Sequence, residues 1–209
     1  MKIKLILALL LAVLLTPLAM AEDSPDGSGY YVGLNLGYAN RHLDQNSFFQ
    51  GGPSSITTKG AAGRISAGYA LGPNFAFEAG GTLLPDAKAS FPTYQVKSSG
   101  YLVDFLLRAS IPFQHDFSAY GKIGMSYVST LVQVTNQPNS QASEFRPVIA
   151  LGGAYALNKS VSFNMEWYRM LGSSNSLNGY AQTKQAALGG TYTQVPSIDI
   201  FTVGVAYLF

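Results

Sequence analysis

Seven ionisable side chains in this chain share one parity of the alternating segments they belong to: Arg64, Glu78, Asp104, Arg108, Lys122, Arg146 and Glu166. Each lies opposite the bulky apolar residues of its own segment. Successive side chains of a strand point to opposite faces, so chance placement would give this agreement about one time in a hundred. Such a chain makes strands with one apolar face and one face that collects charge, and the fold must decide which face is enclosed.

Eight segments carry the period of two: 29–40, 59–71, 75–84, 99–111, 117–131, 144–157, 161–171 and 199–209. In the first, Tyr30, Val32, Leu34, Leu36 and Tyr38 oppose Tyr31, Gly33, Asn35, Gly37 and Ala39. In the last, Phe201, Val203, Val205, Tyr207 and Phe209 form the apolar face. Polar stretches at 41–58, 85–98, 135–143 and 172–194 alternate with short turns at 72–74, 112–116 and 158–160. All short turns therefore fall at one end of the strands and all long connections at the other, the division found in outer-membrane barrels.

Charged residues make up only 11% of the chain, against roughly a quarter in soluble domains. Beyond the N-terminus no apolar run approaches the ~20 residues of a membrane helix, whereas a tilted strand crosses with about 9–11. A Lys or Arg facing lipid at mid-bilayer costs roughly 2–4 kcal/mol, so the charged face must be the inner one. Open strand edges are equally costly in lipid, which forces closure. These constraints predict an eight-stranded antiparallel up-and-down transmembrane β-barrel. They reject a soluble ligand-binding barrel, whose apolar face would point inward.

Some residues depart from the pattern. Arg169 and Asp199 have the apolar parity but lie near the loop ends of their strands, where the penalty falls to about 0–1 kcal/mol. Leu102, Leu106, Ile198 and Ile200 point inward and predict small apolar clusters there. Pro147 faces lipid and lacks a ladder donor, which places it near a rim or bulge. Tyr30, Tyr38, Phe75, Tyr101, Phe117, Trp167, Tyr207 and Phe209 gather toward strand ends, as two interfacial girdles would.

Residues 1–21 have the form of a cleaved signal peptide: Lys2 and Lys4, then an apolar stretch, then Ala19-Met20-Ala21. Residues 22–28 are a short periplasmic lead, and 29–209 the barrel domain. Cleavage removes 2 of 13 basic residues and leaves 11 against 11 acidic ones. The net basic charge belongs to the discarded segment, so a nucleic-acid partner is not expected. There are no cysteines, and hence no disulfide or thiolate chemistry.

The run Gly-Tyr-Tyr-Val-Gly-Leu-Asn-Leu-Gly-Tyr at 29–38 resembles the first strand of OmpA-like outer-membrane β-barrels. The ending, carried by Phe201, Val203, Val205, Tyr207 and Phe209, resembles the terminal signal read by the barrel-assembly machinery. The resemblance implies the cell outer membrane as location, with outer-membrane lipids, lipopolysaccharide and the assembly machinery as partners, and a monomer. It also implies a charged, hydrogen-bonded interior, onto which the seven ionisable residues map. A chain stopping at Phe209 leaves no room for OmpA's peptidoglycan-binding domain, so a cell-wall tether is not expected.

Three functions fit such a barrel. The first is a structural or surface-interaction protein whose lumen is filled by Tyr31, Tyr120, Tyr168 and the seven charges, since eight strands enclose little more than their own side chains. Its four outward loops, with Phe48-Phe49 in the first, would meet an extracellular ligand or host surface. The second is a small pore, with Gly33, Gly37, Gly68 and Gly80 leaving space beside the charges. The third is a lipid-modifying enzyme or protease using His42 with Asp44 and Ser47, although Ser/Asp-rich loops produce such triplets without fixed geometry. His115 falls in a short turn and is expected to be solvated. No metal spacing, phosphate loop or cofactor motif occurs, so the expectation is a non-enzyme without cofactor.

Overall fold

The structure, a computed structural model, describes residues 28–42, 54–92, 95–113, 115–135, 139–172 and 195–209. Within them are β1 (Ser28–Arg41), β2 (Ser55–Thr57), β3 (Lys59–Leu71), β4 (Phe75–Ser90), β5 (Gln95–Pro112), β6 (Phe117–Val134), β7 (Ser140–Ala156), β8 (Val161–Met170) and β9 (Ile198–Leu208). Eight long strands pair antiparallel with their neighbours in sequence, and β1 pairs with both β3 and β9. That last pairing, from Tyr31↔Leu208 to Arg41↔Ile198, closes the barrel. The short β2 lies outside the ring, added to Lys88–Ser90 of β4.

The outer face carries the bulky residues of each alternation. Phe105, Leu36, Phe145, Ile123 and Phe201 are all more than 60% exposed in the isolated chain. A soluble protein does not leave a continuous apolar surface of this extent bare; a barrel in lipid requires it. The girdle positions are filled at the short-turn end by Tyr30 against Tyr69 and Phe117 against Tyr155, with ring centroids 4.8 and 4.7 Å apart.

Strand lengths depart from expectation where the chain leaves the bilayer. The polar stretch 85–98 is mostly paired strand: after an irregularity between Leu84 and Ala87, β4 and β5 stay in register to Ser90↔Gln95. Likewise β6 and β7 remain paired up to Val132↔Ser140, within the stretch expected to be loop. Above the membrane the outward residues need not be apolar, so hydropathy stops alternating while backbone pairing continues. The other two connections, 43–53 and 173–194, lie outside the described residues, as do residues 1–27.

Local chemistry explains the turns. Gly72 has φ 126°, a left-handed conformation that costs glycine least. Asn158 accepts hydrogen bonds at Oδ1 from Ser160 N and Val161 N, at 2.9 and 2.8 Å, and so closes its own turn. Pro147 is neither at a rim nor at a bulge of its strand. Its carbonyl accepts from Leu171 N just past the end of β8, so its missing N–H faces the point where the neighbouring ladder has stopped.

Candidate functional site in the barrel interior

Five of the seven ionisable residues converge across the lumen from five strands. Arg64 on β3 meets Asp104 on β5 through two parallel bonds, Nη1–Oδ2 at 2.5 Å and Nη2–Oδ1 at 2.8 Å. Its Nη2 also donates to Glu78 Oε1 on β4 at 2.8 Å. Lys122 on β6 donates to both Glu78 oxygens, at 2.8 and 2.9 Å, and reaches Glu166 Oε2 on β8 at 2.6 Å. Tyrosines complete the acceptors: Tyr31 Oη donates to Glu78 Oε2 and Tyr168 Oη to Asp104 Oδ2. All five charged side chains are buried, Asp104 completely. Paired and multiply hydrogen-bonded charges are the form in which ions survive burial.

The other two stand apart. Arg108, toward the short-turn end, packs its guanidinium carbon 4.0 Å from the centre of the Tyr120 ring and donates from Nε to Ser110 Oγ at 3.0 Å. Arg146, toward the other end, pairs with Glu144 two residues away on β7. The central cluster thus has two cations and three carboxylates, 2 − 3 = −1, with Arg108 nearby to balance it.

Several interior participants were not singled out from sequence. Arg41 is 2% exposed and donates to Ser98 Oγ at 3.0 Å; extending the first segment by one residue would have shown its inward parity. Glu144 shares the parity of Arg146. Asn35 and Asn164 join β1 to β8 through an Nδ2–Oδ1 contact of 2.5 Å; neutral amides carry no parity signal comparable to a charge.

Above the ionic tier the inward positions turn aliphatic. On each strand the residue nearer the long-connection end is apolar: Leu102 above Asp104, Val128 above Ser126, Leu84 above Thr82, Met170 above Tyr168. Ile198, Ile200 and Val148 join them in one buried cluster. Of the four inward aliphatics expected, Leu102, Ile198 and Ile200 belong to this layer, while Leu106 sits lower, beyond Asp104 on β5.

The lumen glycines open no space. A Cβ on Gly80 would stand 2.4 Å from Arg64 Nη2, and one on Gly68 2.4 Å from Tyr31 Cζ. A Cβ on Gly33 would meet Ser66 Oγ, and on Gly37 the Phe201 carbonyl. Glycine at these positions makes room for a neighbouring side chain or, at Gly37, for the adjoining strand's backbone.

At the outer rim, His42 Nε2 lies 2.6 Å from Asp199 Oδ2, tying the end of β1 to the start of β9. The carboxylate beside His42 is thus one that sequence spacing had not paired with it; Asp44 and Ser47 lie outside the described residues. Arg169 and Asp199 face outward, Nε to Oδ1 at 3.8 Å. His115 is exposed in its turn. Among the described residues no group of three or more His, Asp or Glu is placed to hold a metal ion.

Comparison with known proteins agrees with this architecture. The profile of the outer membrane protein beta-barrel domain family matches residues 6–209. An uncharacterized protein of Coxiella burnetii is 24% identical over 222 residues, covering 81% of this chain and 87% of its own. Among solved structures, Neisserial surface protein A superposes with a TM-score of 0.58 at 19% identity, covering 87% of this chain and 98% of that one. The N-terminal β-barrel domain of Pseudomonas aeruginosa OprF gives 0.53 at 9% identity, covering 87% and 99%. At these identities the structural likeness establishes the fold alone.

Proposed function

This chain belongs to the outer membrane protein β-barrel domain family, and from that premise we propose that it is a closed, non-enzymatic barrel of the outer membrane. It acts through the connections it presents at the cell surface. Short turns face the periplasm in such barrels, so the β4–β5 and β6–β7 extensions point outward.

The observation that carries this reading is the bridging of the lumen by Arg64, Glu78, Asp104, Lys122 and Glu166. An ion crossing there must break several charge-assisted bonds and then pass a buried aliphatic layer. The occupied space beside Gly68 and Gly80 counts against the pore alternative. The five bridging charges answer one another, and among the described residues no nucleophile stands beside a free base within that cluster, which favours structure over catalysis.

Single-channel recording of the purified, folded protein in planar bilayers is the test. The expected trace is silent; reproducible conductance steps that survive removal of detergent would overturn the reading. We also assign the assembly signal to Phe201, Val203, Val205, Tyr207 and Phe209, the first four of which face outward on β9. Replacing Tyr207 and Phe209 by Ser should leave export intact and reduce heat-modifiable barrel in the outer membrane. Normal amounts of it would refute that assignment.

A further inference from the structure

On the outer wall a polar row interrupts the apolar surface along four adjoining strands. Arg169 on β8 lies opposite Asp199 on β9, Asp199 opposite Asn40 on β1, and Asn40 opposite Lys59 on β3. Each shares the outward parity of its strand, because Trp167, Phe201, Tyr38 and Ala61, two positions nearer the membrane centre, form the matching row below. Arg169, Asp199 and Asn40 therefore sit directly on an aromatic shelf, and Lys59 above Ala61 at its end.

Arg169 is the unusual member. Its other cross-strand neighbour is Ile149, so aliphatic surface flanks it on one side and Asp199 on the other. The nearest Asp199 oxygen is 3.8 Å from Nε, too long for a hydrogen bond, and Asp199 Oδ2 is taken by His42 at 2.6 Å. Within the described residues the Arg169 guanidinium makes no hydrogen bond, and Lys59 has no carboxylate partner. A guanidinium held at a lipid-facing position with its planar fork of donors unanswered is matched by a phosphate. The described residues of β6 and β7 carry no such row: the outward residues above Tyr127 and Phe145 are Ser129, Gln141 and Ser143, neutral and bonded to one another. On β4 and β5 the exposed Lys88 and Lys97 lie opposite each other, and Lys97 is already answered by Asp86 at 3.0 Å.

The strands of such barrels tilt by about 35–45°, so the row climbs from Arg169, nearest the acyl chains, to Lys59, nearest water. Cations at two depths fit a headgroup with anionic groups at two depths. A phospholipid offers one phosphate at one level; the phosphorylated, acidic-sugar headgroup of lipopolysaccharide offers several. We propose that the row Arg169–Asp199–Asn40–Lys59, with its aromatic shelf, is a docking site for one lipopolysaccharide molecule of the outer leaflet. Arg169 takes the deeper phosphate and Lys59 a shallower anionic group, while Asp199 and His42 hold the two strands in register. The site rests on the surface-facing orientation proposed above; it is independent of whether the lumen conducts, which is measured separately.

The test uses full-length folded protein in phosphatidylcholine nanodiscs. Retained lipid is quantified by native mass spectrometry after titration with rough lipopolysaccharide, with its dephosphorylated form, or with phosphatidylglycerol. Intact lipopolysaccharide should bind most tightly. Arg169→Gln and Lys59→Gln should each weaken it about five-fold, the worth of one cation near an anionic lipid, and together by the product. Lys88→Gln, higher on β4 and outside the row, should have no effect. Asp199→Asn removes the competing carboxylate and should strengthen binding, which a purely structural strand tie would not do. Equal retention of phosphatidylglycerol, or undiminished lipopolysaccharide binding by the double variant, would overturn the site. Heat-modifiable mobility checks folding of every variant, and Lys59→Gln, exposed and unpaired among the described residues, keeps the test open if Arg169→Gln misfolds.

Discussion

Two tiers of the same lumen are packed by opposite means. In the lower one, five charged groups from five strands answer one another, with three tyrosines around them. In the upper one, inward positions nearer the long connections carry Leu84 on β4, Leu102 on β5, Val128 on β6, Met170 on β8, and Ile198 and Ile200 on β9. Both tiers fill space. They differ in what happens when a part is lost. Removing one member of a buried ion network strands the others, whereas removing an aliphatic side chain leaves a cavity whose cost depends on how far its neighbours relax.

The largest effect is therefore expected from Arg64→Met. It leaves Glu78, Asp104 and Glu166 facing Lys122 alone at the centre, and breaking a buried pair costs about 3–5 kcal/mol. Urea unfolding from lipid vesicles should show that loss, and adding Asp104→Asn should recover part of it. Leu102→Ala, directly above on β5, should cost about 2–3 kcal/mol, toward the lower end of the large-to-small range. Its effect should add to that of Ile200→Ala more nearly than Arg64→Met adds to Glu78→Gln, since the ionic members share partners. A smaller loss for Arg64→Met than for Leu102→Ala would reverse the comparison.

The contrast between tiers shows what a sequence can disclose. The lower tier was visible as parity, because a charge is costly on the lipid side and each of Arg64, Glu78, Asp104, Lys122 and Glu166 had to point inward. Which cation meets which carboxylate depended on register, and a shift of two residues, which keeps every face, would have paired them differently. Arg108 and Arg146 had the same parity as the rest; only their distance along tilted strands separates them from the cluster. The upper tier showed only in fragments such as Leu102 and Ile198, because an inward aliphatic looks like any other exception to alternation. His42 illustrates a third limit. Its local neighbours in sequence offered Asp44 and Ser47, but barrel closure brings Asp199, 157 residues away, against its ring.

A smaller effect probes the contact between filling and backbone. A Cβ on Gly80 meets the Arg64 guanidinium at 2.4 and 2.6 Å, and that group cannot retreat without leaving Asp104. Gly80→Ala should cost about 1–3 kcal/mol, the usual range for overpacking. The outward Gly121 is the control, since its Cβ would find nothing closer than Leu151 Cδ2 at 3.6 Å. Gly121→Ala should be near neutral in the same unfolding measurement. If Gly80→Ala is equally neutral, the ionic tier is looser than its bond lengths require.

The smallest expected change lies outside both tiers. His115 and Asp116, in the turn from β5 to β6, each have φ 63°, and two successive left-handed residues are the geometry in which a hairpin prefers glycine at the second place. The left-handed conformation costs a non-glycine residue about 1–2 kcal/mol, less for Asp, and glycine in turn gives back about 0.5–1 kcal/mol through the greater freedom of its unfolded chain. Asp116→Gly should therefore stabilise by a few tenths to about 1 kcal/mol. Because the turn shares no partner with Arg64 or Leu102, its gain should add to either loss within about 0.3–0.5 kcal/mol. Strong coupling of Asp116→Gly to Arg64→Met, but not to Leu102→Ala, would mean that the ionic tier reaches down to the β5–β6 turn through Arg108 and Tyr120, and the division between the tiers would have to be redrawn there.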